Sequence, residues 1–115
     1  MYRIVILPHF KRQVKPYTKK YRHLKDTLIK VLEQFKPEQH SALGNGVYKV
    51  RIQSKDIPKG KSKSFRLIVL LVEVNQLLVP ITIYFKGDQA TITKQELNEQ
   101  LELVLFELQT EHLLS

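Results

Sequence analysis

Four basic residues at strand-like spacing dominate the chemistry available to this chain: Lys49 and Arg51 in GNGVYKVR, Arg66 in GKSKSFRLIV and Lys86 in ITIYFK. Between the first two segments runs a loop containing Lys55, Lys59, Lys61 and Lys63. Lys49 and Arg51 are two apart, so on a strand both side chains leave the same sheet face. Arg66 opens the next strand and falls beside them across a hairpin, and Lys86 ends the strand after that. Tyr48 alternates with Lys49 and is expected on the opposite, core side. Arginine clamps a phosphate with two parallel hydrogen bonds, whereas lysine supplies a compact charge that nearby cations make easier to deprotonate. Fixed on a rigid, half-buried surface, such an array suits a polyanion, and a suitably tuned lysine serves as general acid or base. A solvated basic face that merely guards a hairpin satisfies the same charge count.

No other constellation competes. His9, His23, His40 and His112 are scattered, form no metal-type pair and read as plain surface residues. The Gly-rich pieces match neither a phosphate loop nor a dinucleotide fingerprint, and no nucleophile elbow is present. The chain has no cysteine, which excludes disulfides and thiolate ligands and fits a reducing compartment. No metal and no cofactor are expected.

The elements that must position the cations follow from the hydrophobic pattern. Tyr2 to Leu7 reads as a short strand. A helical stretch follows with Phe10, Val14, Tyr17 and Tyr21 on one stripe, and Pro16 inside it is expected to kink or end the helix. Arg22 to Phe35 is a cleaner amphipathic helix, stopped at Lys36-Pro37. Polar residues then lead to Gly44-Asn45-Gly46, a turn of residues that tolerate positive φ. Strands run over Val47–Gln53, Ser64–Val74 and Leu77–Phe85, the last two joined tightly as an antiparallel meander. Pro80 cannot donate to a ladder and argues for a sheet edge or a bulge. Thr93-Lys94-Gln95-Glu96 is a capping box opening a final helix with the stripe Leu97, Leu101, Val104, Leu105 and Leu108. Leu103 and Phe106 lie off that stripe, which predicts burial on two sides within the chain's own core, or else a docking surface.

The order β-α-α-β-β-β-α predicts an α+β fold with helices packed on one face of a small antiparallel-rich sheet, as one domain over residues 1–115. The length of 115 residues and the 43% apolar and 26% charged fractions are ordinary for one globular domain. The net charge of +8 is uneven. Residues 1–93 hold 18 Lys/Arg against 6 Asp/Glu, net +12, whereas residues 94–115 hold 1 against 5, net −4. The basic field therefore belongs to residues 1–93 rather than to the terminal helix, and it speeds encounter with phosphate backbones. The apolar N-terminal run is too short for a signal peptide and no run suffices for a membrane span, so a cytoplasmic address without membrane contact is expected.

The segments GNGVYKVR, GKSKSFRLIV and ITIYFK, in this order of elements, resemble the RelE/ParE/HigB superfamily of toxins from type II toxin–antitoxin modules. The resemblance spans about residues 2–105 and looks closer to the RelE and HigB branches. It implies a metal-independent, ribosome-dependent mRNA endoribonuclease that blocks translation, the ribose 2′-OH attacking its own 3′-phosphate. By that resemblance Lys49 and Arg51 fall on the paired basic strand residues, Arg66 on the phosphate-stabilising arginine and Lys86 on the basic residue after the last strand. Arg66 would then hold the phosphate oxygens, Lys49 or Lys61 would move protons, and Arg51, Lys63 and Lys86 would place the backbone, with Lys55 and Lys59 as further RNA contacts. Where such proteins often carry an arginine directly after the last lysine and a tyrosine a few residues on, this chain has Gly87 and then Ala90, Thr91, Ile92 and Thr93. The implied partners are mRNA on the ribosome and a cognate antitoxin encoded next door, with operator DNA reached only through the toxin–antitoxin complex. A toxin of the same fold that poisons DNA gyrase, and a non-catalytic basic nucleic-acid-binding module, remain open alternatives.

Overall fold

The computed structural model describes residues 1–53, 64–89 and 91–114, so Lys55, Lys59, Lys61 and Lys63 lie outside the described residues. The elements in chain order are β1 (Arg3–Ile4), α1 (Pro8–Lys20), α2 (Leu24–Glu33), a 3₁₀ turn (Pro37–Gln39), β2 (Ser41–Gly44), β3 (Val47–Ile52), β4 (Phe65–Val72), β5 (Leu77–Phe85) and α3 (Lys94–Thr110). The strands form one sheet in the order β1-β5-β4-β3-β2. Only β1 runs parallel to its neighbour β5, and the other pairs are antiparallel.

β4 reads FRLIVLLV and β5 reads LLVPITIYF, apolar at almost every position rather than at alternate ones. Such strands have two faces to bury, which sets the layering. Phe65, Leu67, Val69, Leu71, Leu78 and Ile83 join Phe10, Leu24, Leu28 and Leu32 of α1 and α2 in one cluster. Ile68, Leu70, Leu77, Val79 and Ile81 join Val104 and Leu108 of α3 in the other. The α+β class and the antiparallel-rich sheet agree with the sequence. The placement of helices on one face holds for α1 and α2 only, because α3 covers the opposite face that these strands would otherwise expose.

Several local expectations resolve with clear causes. The helix α1 runs on through Pro16 to Lys20. Tyr17 and Tyr21 stand edge-on to Phe65, with centroids at 5.1 and 5.2 Å, and hold the turn that the missing N–H weakens. Pro80 satisfies both of its alternatives. β1 pairs β5 only at Leu77 and Leu78, leaving Pro80 unpartnered on that side, and the β4 register skips between Val69 opposite Pro80 and Ile68 opposite Thr82. Thr93 and Glu96 form the capping box, with bonds of 3.1 and 3.2 Å. Thr27 and Thr18 turn their hydroxyls back onto helix carbonyls, as is common for threonine within helices.

Other expectations are corrected. His9 is only 5% exposed, not a surface residue. Its backbone N–H donates to Glu107 Oε1 at 3.0 Å and its ring bonds Gln100, tying α1 to α3. Leu103 and Phe106 are 49% and 68% exposed, so they do not belong to the chain's own core. Leu105, placed on the buried stripe by its spacing, also stays exposed.

The short strand β2 is absent from the sequence reading because Ser41, Ala42, Leu43 and Gly44 are exposed and carry no burial pattern. It exists because the turn folds it back on β3. Gly44, Asn45 and Gly46 have φ of 96°, 54° and 79°. The Gly46 carbonyl accepts from Leu71 N–H at 2.7 Å, and a Cβ on Gly46 would sit 2.7 Å from the Leu71 carbonyl oxygen. Gly46→Ala is therefore expected to lower stability by more than about 1 kcal/mol. Gly44→Ala, where a Cβ meets open space, should cost less. Urea unfolding of the two variants checks the order.

Candidate functional site

The register of β3, β4 and β5 decides where the cations stand. Arg51 pairs directly with Arg66, and Arg66 pairs directly with Tyr84 on its other side. Residues directly opposite in an antiparallel ladder share a face, with Cβ atoms about 4.5–5.5 Å apart. Arg51, Arg66 and Tyr84 therefore form one row across three strands. Lys49 lies two residues before Arg51, pairs with Ile68 and shares this face. It is the face that α3 covers further along the sheet, through Ile68 and Leu70. Tyr48 takes the other face and packs edge-on against Phe35 at 5.7 Å, as its alternation predicts.

Arg66 is held in place. Its Nη1 donates to the Ser64 hydroxyl and, at 3.4 Å, to the Phe65 carbonyl. Ser64 is fully buried, so its hydroxyl is a fixed post rather than a mobile surface group. The same residue accepts from Lys86 N–H through its carbonyl at 2.8 Å, which carries the β4–β5 ladder one step further and sets Lys86 beside it. Lys49, Arg51 and Arg66 thus share one face and the Lys86 backbone joins its edge at Ser64, whereas Lys55, Lys59, Lys61 and Lys63 fall outside the described residues.

Two guanidinium groups directly opposite one another repel, and like-charged cross-strand pairs destabilise a sheet. Among the described residues the ion pair found joins Arg12 Nη2 to Glu107 Oε2 at 3.9 Å, and no described carboxylate neutralises the row. Such an arrangement asks for an external anion. Arg51 is exposed and Arg66 and Lys49 are half-buried, so the row is reachable yet partly shielded from bulk solvent. It offers a planar fork held at a fixed point, a second fork beside it and two flanking amines, which matches a bent phosphodiester better than an isolated small ion.

At Gly87 an added Cβ would run into the Phe85 ring. Phe85 is itself packed on Phe65 at 5.1 Å and stacked on Tyr21 at 6.0 Å. A larger side chain directly after Lys86 would have to displace that stack.

Three contributors escape the sequence reading. Ser64 sits beside the loop and gives no sign of anchoring an arginine two residues on. Tyr84 was recoverable, since the two-residue period from Lys86 puts both on one face. Gln13, on α1, reaches Thr82 across the layers at 3.5 Å, a contact no local pattern encodes.

The family described as RelE toxin of the RelE/RelB toxin–antitoxin system matches residues 7–114. Among solved structures, the chain resembles one from the intact E. coli RelBE toxin–antitoxin complex, with a TM-score of 0.50 and 18% identity over 72% of this chain and 94% of that one. It also resembles a double arginine-to-alanine mutant of the E. coli toxin RelE in the free state, with a TM-score of 0.48 and 20% identity over 77% and 87% of the two chains. No curated protein matches.

Replacing Arg51 with Gln removes the repulsion and one anion contact together. Arg51→Gln is expected to raise stability by about 0.2–1 kcal/mol while weakening binding of a single-stranded RNA homopolymer. With four phosphates neutralised, log K for the parent chain should fall against log salt with a slope of about −2.8, and the variant's slope should be shallower by about 0.7. Salt titration with thermal unfolding checks both; a variant that is less stable and binds unchanged contradicts the pairing.

Proposed function

This chain belongs to the RelE toxin family, and from that premise we propose that it is a metal-independent endoribonuclease that cuts mRNA on the ribosome and so halts translation. The observation that carries this reading is the opposed pair of Arg51 and Arg66, with Arg66 pinned by buried Ser64. A nuclease whose nucleophile comes from its substrate needs little more than fixed positive charge at the phosphorus and a route for two protons.

In this scheme the ribose 2′-OH attacks the adjacent phosphorus. The O2′–P bond forms and the P–O5′ bond breaks, leaving a 2′,3′-cyclic phosphate and a 5′-hydroxyl. The 2′-OH proton leaves to a base and a proton is delivered to the departing O5′. Arg66 stabilises the non-bridging oxygens as charge builds at the pentacovalent centre. Lys49 or Lys61 moves the protons, and Arg51, Lys63 and Lys86 set the backbone in line. Lys55 and Lys59 extend the grip on the strand. A preorganised donor contributes most where charge develops in the transition state, because it needs no reorganisation at that moment.

The antitoxin of this reading covers the basic row with an acidic segment and carries the toxin to operator DNA only as part of the complex. Leu103 and Phe106, exposed on the outer side of α3 between Glu99, Glu102 and Thr110, give such a partner an apolar foothold. The reading implies a cytoplasmic site of action, where ribosomes translate.

Arg66→Ala is expected to fold normally and to lose cleavage by roughly 10²–10³-fold, the usual worth of one charge-stabilising donor. Induced expression followed by primer extension on cellular mRNA is the measurement. Cuts within codons that vanish with Arg66→Ala support the reading, and a folded Arg66→Ala chain that still arrests growth removes Arg66 from its role. DNA damage without transcript cuts would point instead to a gyrase poison. Separately, Leu103→Ser with Phe106→Ser should leave the melting temperature within the small range typical of surface changes and reduce co-purification with the adjacently encoded antitoxin. Unchanged capture would place the antitoxin elsewhere.

A further inference from the structure

Beside the cation row lies a cleft of about 330 Å³ between the end of β5, the middle of α1 and the first turns of α3. Its walls include Gln13, Tyr17, Thr82, Tyr84, Glu96 and Gln100. Tyr84 is only 5% exposed, and its hydroxyl has no protein hydrogen-bond partner among the described residues. A buried hydroxyl left in that condition is costly unless something met in the cleft completes it. Tyr84, one of the cleft's walls, is the direct cross-strand neighbour of Arg66.

We propose that this cleft holds one unstacked nucleobase of the RNA whose phosphate Arg66 grips. The inference rests on the nuclease reading above and adds to it the part of the substrate that this pocket would recognise. Among the described residues no lysine or arginine lines the cleft and Glu96 does, so an anion is disfavoured and a neutral ligand with hydrogen-bond donors is favoured. The side-chain amides of Gln13 and Gln100, with the hydroxyls of Thr82 and Tyr84, offer donors and acceptors of the kind that read base edges. Tyr17, Pro16, Ile83 and Ile92 supply flat or apolar walls for a planar ring. The volume falls at the small end of ligand pockets and suits one base rather than a run of strand. Sequence-specific reading of RNA generally uses bases turned out of the stack in this way.

Part of the polar lining is already engaged, which narrows the free positions. Gln100 Oε1 bonds the His9 ring, Glu96 Oε1 accepts from Thr93 N–H, and Gln13 Oε1 accepts from the Thr82 hydroxyl at 3.5 Å. The amide N–H groups of Gln13 and Gln100 and the Tyr84 hydroxyl have no protein partner among the described residues, so a base presenting acceptors beside at least one donor would complete them.

The test is equilibrium binding of the four nucleoside 3′-monophosphates to the purified full chain, with ribose 5-phosphate as a control that lacks the base. At least one nucleotide should bind about tenfold tighter than the control, the scale of a single stacked base. Tyr84→Phe should cut that advantage about threefold or more, leave ribose 5-phosphate binding unchanged and melt no lower than the parent, since it deletes an unpartnered hydroxyl. Gln13→Ala, a change on a half-exposed helix position, should lower the advantage independently. Arg66→Ala should weaken nucleotides and control alike and preserve their ratio. Equal binding of nucleotides and control, or an advantage indifferent to both cleft variants, overturns the proposal and leaves a cleft filled by water. A chain that discriminates bases but cuts no transcript keeps the pocket and refutes the nuclease; transcript cutting without discrimination does the reverse.

Discussion

The register of β3 against β4 is the constraint on which the site depends. Arg51 faces Arg66 only because Val47 meets Leu70, Val50 meets Leu67 and Ile52 meets Phe65 in the same ladder. A slip of one residue would carry every side chain of β3 to the opposite face. Val50 and Ile52 would then leave the cluster under α1 and α2, and Lys49 and Arg51 would enter it. Each buried aliphatic side chain contributes about 1.5–3 kcal/mol relative to exposure, so the core of α1 and α2 enforces the register from below. The turn at Gly44–Gly46 adds a second clamp, since the Leu71 N–H bond to the Gly46 carbonyl fixes where β3 begins against β4. Apolar packing on one face thus imposes a like-charged pair on the other.

That packing also determines where the site can be. β4 and β5 demand cover on both faces, and a single helix, α3, serves the second one through Val104 and Leu108. One helix spans only part of a five-stranded sheet. The end near Phe65 and Phe85 is left open, where Arg66 and Lys86 meet around Ser64. The aromatic group of Tyr17, Tyr21, Phe65 and Phe85 underlies this corner from the α1 side. A rigid floor of rings beneath a row of forks keeps the charges from collapsing apart, which two repelling arginines on a loop would do.

What the sequence discloses follows the range over which each feature is determined. The Gly-Asn-Gly turn, the capping box at Thr93–Glu96 and the strands around Val47, Phe65 and Leu77 are encoded by neighbours, and their residues alone suffice to place them. The shared face of Lys49 and Arg51 follows from the two-residue period, and their meeting with Arg66 follows from the hairpin. Features made by contacts distant in sequence stay hidden. β2 has no burial pattern because it is an exposed edge strand. His9 is buried by α3, some ninety positions away, and nothing around it says so. Pro16 suggests a break that tertiary packing of Tyr17 and Tyr21 prevents. The assignment of α3 to the second face was available in principle, since uninterrupted apolar runs in β4 and β5 already imply two covered faces. The cleft beside Tyr84 was not, because three separate elements build it.

Charge completes the arrangement in a way that neither half of the molecule shows alone. The helix α3 carries Glu96, Glu99, Glu102 and Glu107, and it lies on the same sheet face as the cation row. An approaching polyanion is therefore drawn to the open corner and repelled from the helix beside it. At physiological salt such fields reach about 8 Å, roughly the scale separating neighbouring elements rather than the whole molecule. On the proposed reading an RNA strand would then be guided along the basic row rather than over α3, with bases on its helix side brought toward the opening between β5, α1 and α3. A uniformly basic surface would bind the same polymer as firmly but in many orientations. Opposed signs on one face convert attraction into alignment, and alignment is what an in-line displacement at phosphorus requires.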